Sequence, residues 1–278
     1  MAPRCRLLLT CGLPLALFAP DALAWGLQTH LFFAQWALLA APFADPGLRA
    51  AVARLPRLVL AGACLPDLAL AGRALGTPAF RRSHRWATLR RIAAVPRSDE
   101  ERALAAGYAS HLVADVVAHQ HFVPEHEVRI ARLEHVTHAL AEWAMDDYLR
   151  AHVFQQAVEV VDGEFELLSD FVAVRFGCGD ALARRALRLL ARADRALRAS
   201  PVPALCRRVV RCFDRQLERR FEAYARETAA RLRGIEAALA GGFADWEGLD
   251  PERSKGDQGA DRRPGEHIAR IMQAERHA

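Results

Sequence analysis

An all-α fold is predicted for this 278-residue chain by three observations. Apolar residues recur at three- and four-residue intervals along most of it, strand-like alternation is scarce, and the breaks fall at Pro, Gly and Asp positions that start or stop helices. The chain is 52% hydrophobic, enough to bury a core without covalent staples.

Taken in order, the first segment stands apart. Arg4 and Arg6 give a positive start, Leu7 to Ala19 is apolar, and Ala22-Leu23-Ala24 is a small-x-small cleavage site. Residues 1–24 therefore read as a secretory signal peptide whose removal leaves Trp25 first. The apolar stretch is too short for a membrane span and is broken by Gly12 and Pro14. A lipid anchor on Cys11 is disfavoured, because Thr10 precedes it where a small Gly, Ala or Ser is wanted. The expected location is secreted or periplasmic.

Residues 25–240 are expected to form one helical domain. Thr29 to Ala41 has the pattern of an apolar helix, and Asp45 before Pro46 is a helix start leading into an amphipathic stretch, Gly47 to Arg57. Leu58 to Leu65 is a short apolar run ending at Pro66-Asp67, which places Asp67 at a loop edge. Gly72, Gly76 and Pro78 mark Ala71 to Ser83 as a loop. Ser98 with acidic residues 99–101 begins a helix expected to run to Val123 and stop at Pro124. Val128 to Val153, Phe165 to Arg175, Asp180 to Ala199 and Pro203 to Leu239 complete the predicted helices. The tail, residues 241–278, is polar and rich in Gly, Pro, Arg and Asp over 250–266, so it is expected to lack fixed structure.

The formal charge of +5 is mildly basic, but Lys255 is the only lysine among the 38 basic residues. That bias has a cheaper cause in genome composition than in an anionic partner. Of the cysteines beyond the signal, Cys64, Cys178, Cys206 and Cys212, none forms a Cys-x-x-Cys pair; export would allow disulfides without the spacing fixing any pairing, and buried free thiols are the plain reading.

The histidines carry more information. His111, Asp115 and His119 are spaced by four and so share one helix face; His138 and Glu142 repeat that spacing on the next helix. Two facing helices could thus present imidazole nitrogens and carboxylate oxygens to a borderline-soft cation such as zinc. An isolated histidine is more often a hydrogen-bonded core residue, and recurrence of the spacing weighs against that reading here.

In order along the chain, these residues resemble the zinc-dependent phospholipase C family, which is related to the trinuclear-zinc single-strand nucleases. The resemblance rests on Trp25-Gly26-Leu27-Gln28-Thr29-His30 directly after the cleavage site, Gly62-Ala63-Cys64-Leu65-Pro66-Asp67, Ser83-His84-Arg85-Trp86, Gly107 through His111 and Asp115, and His138-Ala139-Leu140-Ala141-Glu142. It implies that Trp25 binds metal through its own amine and carbonyl, which a retained signal peptide would block. It also implies metal ligands at His30, Asp67, His84, His111, Asp115, His138 and Glu142, with either His119 or His121 completing the set and Asp67 as ligand or general base. His119 keeps the helical face and is favoured; His121 lies six residues after Asp115, as in other members.

Up to three Zn2+ ions are implied. Asp67, His84, His111 and Asp115 would hold one, His119 or His121 with His138 and Glu142 a second, and Trp25, His30 and Asp115 a third. The expected activity is hydrolysis of phospholipid headgroup esters at a membrane or micelle surface, with no obligate protein partner evident. Two alternatives stay open: a single-strand nuclease acting on nucleic acid, and a zinc-stabilised helical binding protein without turnover. His135 and Asp146 are expected to support the ligands or simply to pack.

Overall fold

The structure is a computed structural model that describes residues 26–94, 96–130 and 134–242, without the side chains of Glu134 and His135. The proposed signal peptide, Trp25 and nearly all of the polar tail lie outside the described residues, as does the side chain of His135. Among the described residues the protein is helical with no strand, as the sequence predicts. No described helix is long and apolar enough to cross a membrane.

The chain forms α1 (Leu27–Ala40), α2 (Pro46–Arg54), α3 (Pro56–Cys64), α4 (Leu68–Ala74), α5 (Trp86–Ala93) and α6 (Asp99–Val117). A π-helical turn, Ala118–Phe122, leads into α7 (Val123–Arg129) and α8 (Glu134–Leu149). After a short 3-10 turn come α9 (Ala157–Gly163), α10 (Phe165–Phe176), α11 (Asp180–Ala199), α12 (Val202–Phe213), α13 (Leu217–Leu232) and α14 (Ile235–Leu239).

The starts of these helices follow local chemistry. Asp45 caps α2 by accepting from the Leu48 amide at 2.6 Å, with Pro46 in the first turn, where a missing N–H costs nothing. Ser98 accepts from the Glu101 amide at the start of α6, and three acidic residues there oppose the positive end of the helix dipole. Gly177, at φ 64°, ends α10 in a left-handed conformation that glycine adopts at little cost.

Helix α6 is the axis of the molecule. Every residue from Ala103 to Val117 is buried, so this helix has no solvent face, and α1, α2, α3, α5, α13 and α14 all pack around it. Its closest neighbour is α3. A Cβ on Gly62 would overlap the Leu104 carbonyl, and one on Gly107 would overlap the Val59 carbonyl. Two glycines facing two backbones let the helices touch main chain to main chain.

Four expectations about boundaries are corrected. Leu68–Ala74 is helical, so the loop after Asp67 begins later than Gly72 suggests. Pro124 does not stop the helix; it sits in the first turn of α7, and the π turn before it absorbs the register change caused by its missing N–H. The next helix starts at Glu134 rather than Val128. The span from Pro203 to Leu239 is three helices, divided at Asp214–Gln216 and Gly234.

The π turn is tied down from the far side. Buried Glu125 accepts from Arg220 Nη1 at 2.8 Å, Tyr224 Oη at 2.7 Å and Arg129 Nη2 at 2.9 Å, joining α7 to α13. A buried carboxylate so fully bonded fixes its helix in place.

Candidate metal centre

The site forms where α1, the α3–α4 junction, the segment before α5, and α6 converge. Asp67 stands at the N-cap position of α4, its side chain making no capping bond, and is 2% exposed, so its place at a loop edge is as the sequence predicts, although the edge is buried. Ser83 donates through Oγ to the Pro66 carbonyl, and Tyr108 donates from α6 to the Ser83 carbonyl. These two bonds fasten the residues next to Asp67 and His84 onto the central helix. Neither Ser83 nor Tyr108 stands out in the sequence as a positioning residue, because both act through partners distant in the chain. Replacing Tyr108 by Phe should leave the buried Ser83 carbonyl short of a donor and cost about 1–2 kcal/mol. Thermal unfolding should show this as a loss of a few degrees.

His111 and Asp115 stand on α6 one turn apart, and their Nε2 and Oδ2 atoms are 3.1 Å from each other. The opposite ring nitrogen of His111, Nδ1, lies 2.8 Å from the Ala63 carbonyl. A carbonyl can only accept, so Nδ1 carries a proton, and in the neutral ring Nε2 is then the nitrogen that offers a lone pair.

The carboxylate of Asp115 faces two ways. Oδ1 lies 3.3 Å from His30 Nε2, while Oδ2 lies 3.1 Å from His111 Nε2 and 3.6 Å from His84 Nε2. His84 Nε2 is also 3.3 Å from Asp67 Oδ1. The His30 and His111 rings stack with centroids 3.5 Å apart and 9° between planes. Two sets of donor atoms each fall within 4.8 Å: His30, Asp67 and His111, and His84, His111 and Asp115. His111 is common to both sets, and His30 is drawn to Asp67 as well as to Asp115.

A cation fits this arrangement. Both Asp115 oxygens, Asp67 Oδ1 and His111 Nε2 are buried and engage in no hydrogen bond among the described residues, although they converge on one another. Two buried carboxylates left in this condition would be costly, and a divalent ion with imidazole and carboxylate ligands removes the cost. The burial and the mixed imidazole and carboxylate donors suit a divalent cation such as zinc.

The α8 residues border the same cluster. His138 Nε2 meets Glu142 Oε1 at 2.5 Å, and the His119 ring lies edge-on to His138 with centroids 5.1 Å apart. Burial pushes the Glu142 carboxyl well above its ordinary range, with the nearby charges of Asp115, Asp67 and Asp146 adding to the effect. Burial and then the fields of His138, His84 and His111 hold His119 well below the usual histidine range, so it is neutral and able to ligate. The half-buried His121 sits two residues on in the π turn. No described triple with donor atoms as tight as the two above includes His119, His121, His138 or Glu142. His126, not singled out by the sequence pattern as a ligand, is a core residue: Nδ1 lies 2.8 Å from the Phe122 carbonyl and the ring packs on Phe122.

Asp146, one turn beyond Glu142, accepts from the Thr29 amide at 2.8 Å and the Thr29 hydroxyl at 2.7 Å. Burial pushes its carboxyl up to about 6, against the opposing pull of Arg198 and the Thr29 bonds. The four cysteines in the described residues are free thiols, and burial raises the buried Cys64 thiol far above its usual range.

Fold and site together define an all-α protein with a buried His and carboxylate cluster suited to divalent metal. A family model for zinc dependent phospholipase C matches residues 29–190, and the chain belongs to that family. Neither a curated protein nor a solved structure matches it.

Proposed function

We propose that this chain is a zinc-dependent phosphodiester hydrolase acting as a phospholipase C on phospholipid headgroup esters. The observation that carries the reading is Asp115, a buried carboxylate whose two oxygens face different histidines and take no hydrogen bond. Such a carboxylate is placed to be shared between two ions. Family membership supports the substrate class, and Glu142 in the His-x-x-x-Glu pair agrees with the motif quoted from the sequence.

In this reading Asp67, His84, His111 and Asp115 would hold one zinc, His119 or His121 with His138 and Glu142 a second, and His30, Asp115 and the freed end of Trp25 a third. The ring contact between His119 and His138 supports a ligand from the π turn next to α8. Zinc bound there supplies Lewis-acid activation of water and neutralises charge on the phosphate. The protein's own part is to hold the ligands rigidly and dry. His111 Nδ1 keeps its proton on Ala63, which leaves Nε2 to ligate, and Asp67, beside His84 at the N-cap position of α4, would act as ligand or as the base that takes a proton from water. Release of the signal peptide before Trp25 and export to a secreted or periplasmic location belong to the same proposal.

The test is to give zinc-loaded, correctly processed protein phosphatidylcholine vesicles and single-stranded DNA side by side. Phosphocholine and diacylglycerol should appear from the vesicles, with little DNA cleavage. Exclusive cleavage of DNA would transfer the assignment to a nuclease, and zinc binding without either product would make the chain a metal-stabilised binding protein.

A further inference from the structure

We infer that Asp146 is a positioning residue that seats the amino end of α1 on the metal centre, a role that rests on the reading above. Helix α1 lacks a side-chain cap of its own: Gly26, at its N-cap, has no side chain to offer, and within the helix the Thr29 amide meets only the Gly26 carbonyl at 2.9 Å. Asp146 supplies that cap from α8. Its Oδ1 takes both the amide and the hydroxyl of Thr29, residues 117 positions apart in the chain.

The contact leaves its mark on the sequence at Gly26. The backbone there is ordinary, with φ −61°, so no conformational demand calls for glycine. Space does. A Cβ would collide with the Asp146 carboxylate, which is already held by two hydrogen bonds. Glycine and aspartate are therefore two halves of one contact.

The position of this contact gives it meaning for the site. His30, the residue after Thr29, turns Nε2 towards Asp115, and Trp25 is the residue before Gly26 in the sequence. Glu142 lies one turn before Asp146 on α8. A single carboxylate thus links the helix that carries His138 and Glu142 to the segment that carries His30 and leads back to Trp25. Asp146 itself is bonded to Thr29 rather than turned to His30, His84 or His111, so it acts through the backbone it holds.

The experiment uses the full processed chain, its amino terminus verified by mass spectrometry, with Asp146→Ala, Asp146→Asn, Gly26→Ala and the Asp146→Ala/Gly26→Ala double variant. Zinc per chain is measured after equilibration in zinc buffer, and hydrogen exchange of residues 27–31 is measured in chelated protein. Asp146→Ala and Gly26→Ala should each weaken retention of one zinc by at least about tenfold, the usual scale for residues that orient metal ligands. Both should speed exchange at the start of α1, and the double variant should be no worse than either single. Asp146→Asn should recover most of the loss, since its amide oxygen can still accept from Thr29.

Wild-type zinc retention in Asp146→Ala, or unchanged exchange in residues 27–31, would overturn the assignment while leaving the metal centre intact. Additive losses in the double variant would also overturn it. A wild-type chain that holds no zinc would remove the functional reading and this one together, an outcome distinct from the others.

Discussion

Replacing His111 by alanine is expected to abolish hydrolysis of a chromogenic phosphodiester, with a loss well beyond a hundredfold, and to lower the zinc content of the purified protein. No other residue belongs to both tight donor sets, so its removal opens both at once. Residues that merely orient a metal ligand cost about ten- to a hundredfold when lost, and a shared ligand should exceed that range. The loss is not simply one of packing. A histidine that only filled space would, when truncated, reduce stability and leave metal content alone, whereas here zinc should fall by at least one equivalent. Chelation of the wild-type protein should reproduce the inactivity and also lower the unfolding temperature, because Asp67 and Asp115 are then left buried with unsatisfied oxygens. Readdition of zinc should restore both properties to the chelated wild type and neither to the variant. Unchanged zinc content in His111→Ala, with activity retained, would remove the cluster from the chemistry.

The four-residue spacing of His111 and Asp115 makes their shared face legible in one dimension, and the helix delivers it: their reacting atoms lie 3.1 Å apart. Asp67 is legible for a similar local reason, since Pro66-Asp67 ends an apolar run and so marks an edge. What the sequence hides is whatever depends on a second helix. Gly62 and Gly107 are visible as motif residues, but the reason for each is a carbonyl on the other's helix, Leu104 for one and Val59 for the other. Tyr108 looks like an ordinary aromatic core residue until its hydroxyl is found on Ser83. The π turn is hidden in another way. Pattern reading counts 3.6 residues per turn straight through residues 118–122 and stops at Pro124, whereas the chain inserts a wider turn and continues into α7. Both candidate histidines lie inside the π turn, where the four-residue register no longer holds, which is why spacing alone left His119 and His121 in competition.

The second large effect is expected at Gly107, where substitution by alanine should cost at least about 3 kcal/mol of stability, the upper end for overpacking a core. The reason for placing it at that end is the identity of the obstacle. The added Cβ would meet the Val59 carbonyl and the Ala63 amide nitrogen, both main-chain atoms of α3, and main chain cannot rotate aside as a side chain can. Relief requires α3 to move off α6. That movement would also carry Ala63 away from His111 Nδ1 and shift Asp67, which follows three residues after the end of α3, so zinc affinity should fall together with the melting temperature. Gly179→Ala provides the contrast, because a Cβ there meets nothing within 4 Å and only the N-cap preference for glycine over alanine is lost, about 1 kcal/mol. Denaturant unfolding of the two variants, each with and without zinc, separates the effects: Gly107→Ala should lose stability in both states and lose part of the zinc-dependent increment as well, whereas Gly179→Ala should lose about 1 kcal/mol at most and keep the full increment. A Gly107→Ala protein as stable as Gly179→Ala would mean that α3 and α6 do not lie in main-chain contact, and the distances that bring Asp67 to His84 and the Ala63 carbonyl to His111 would lose their structural basis.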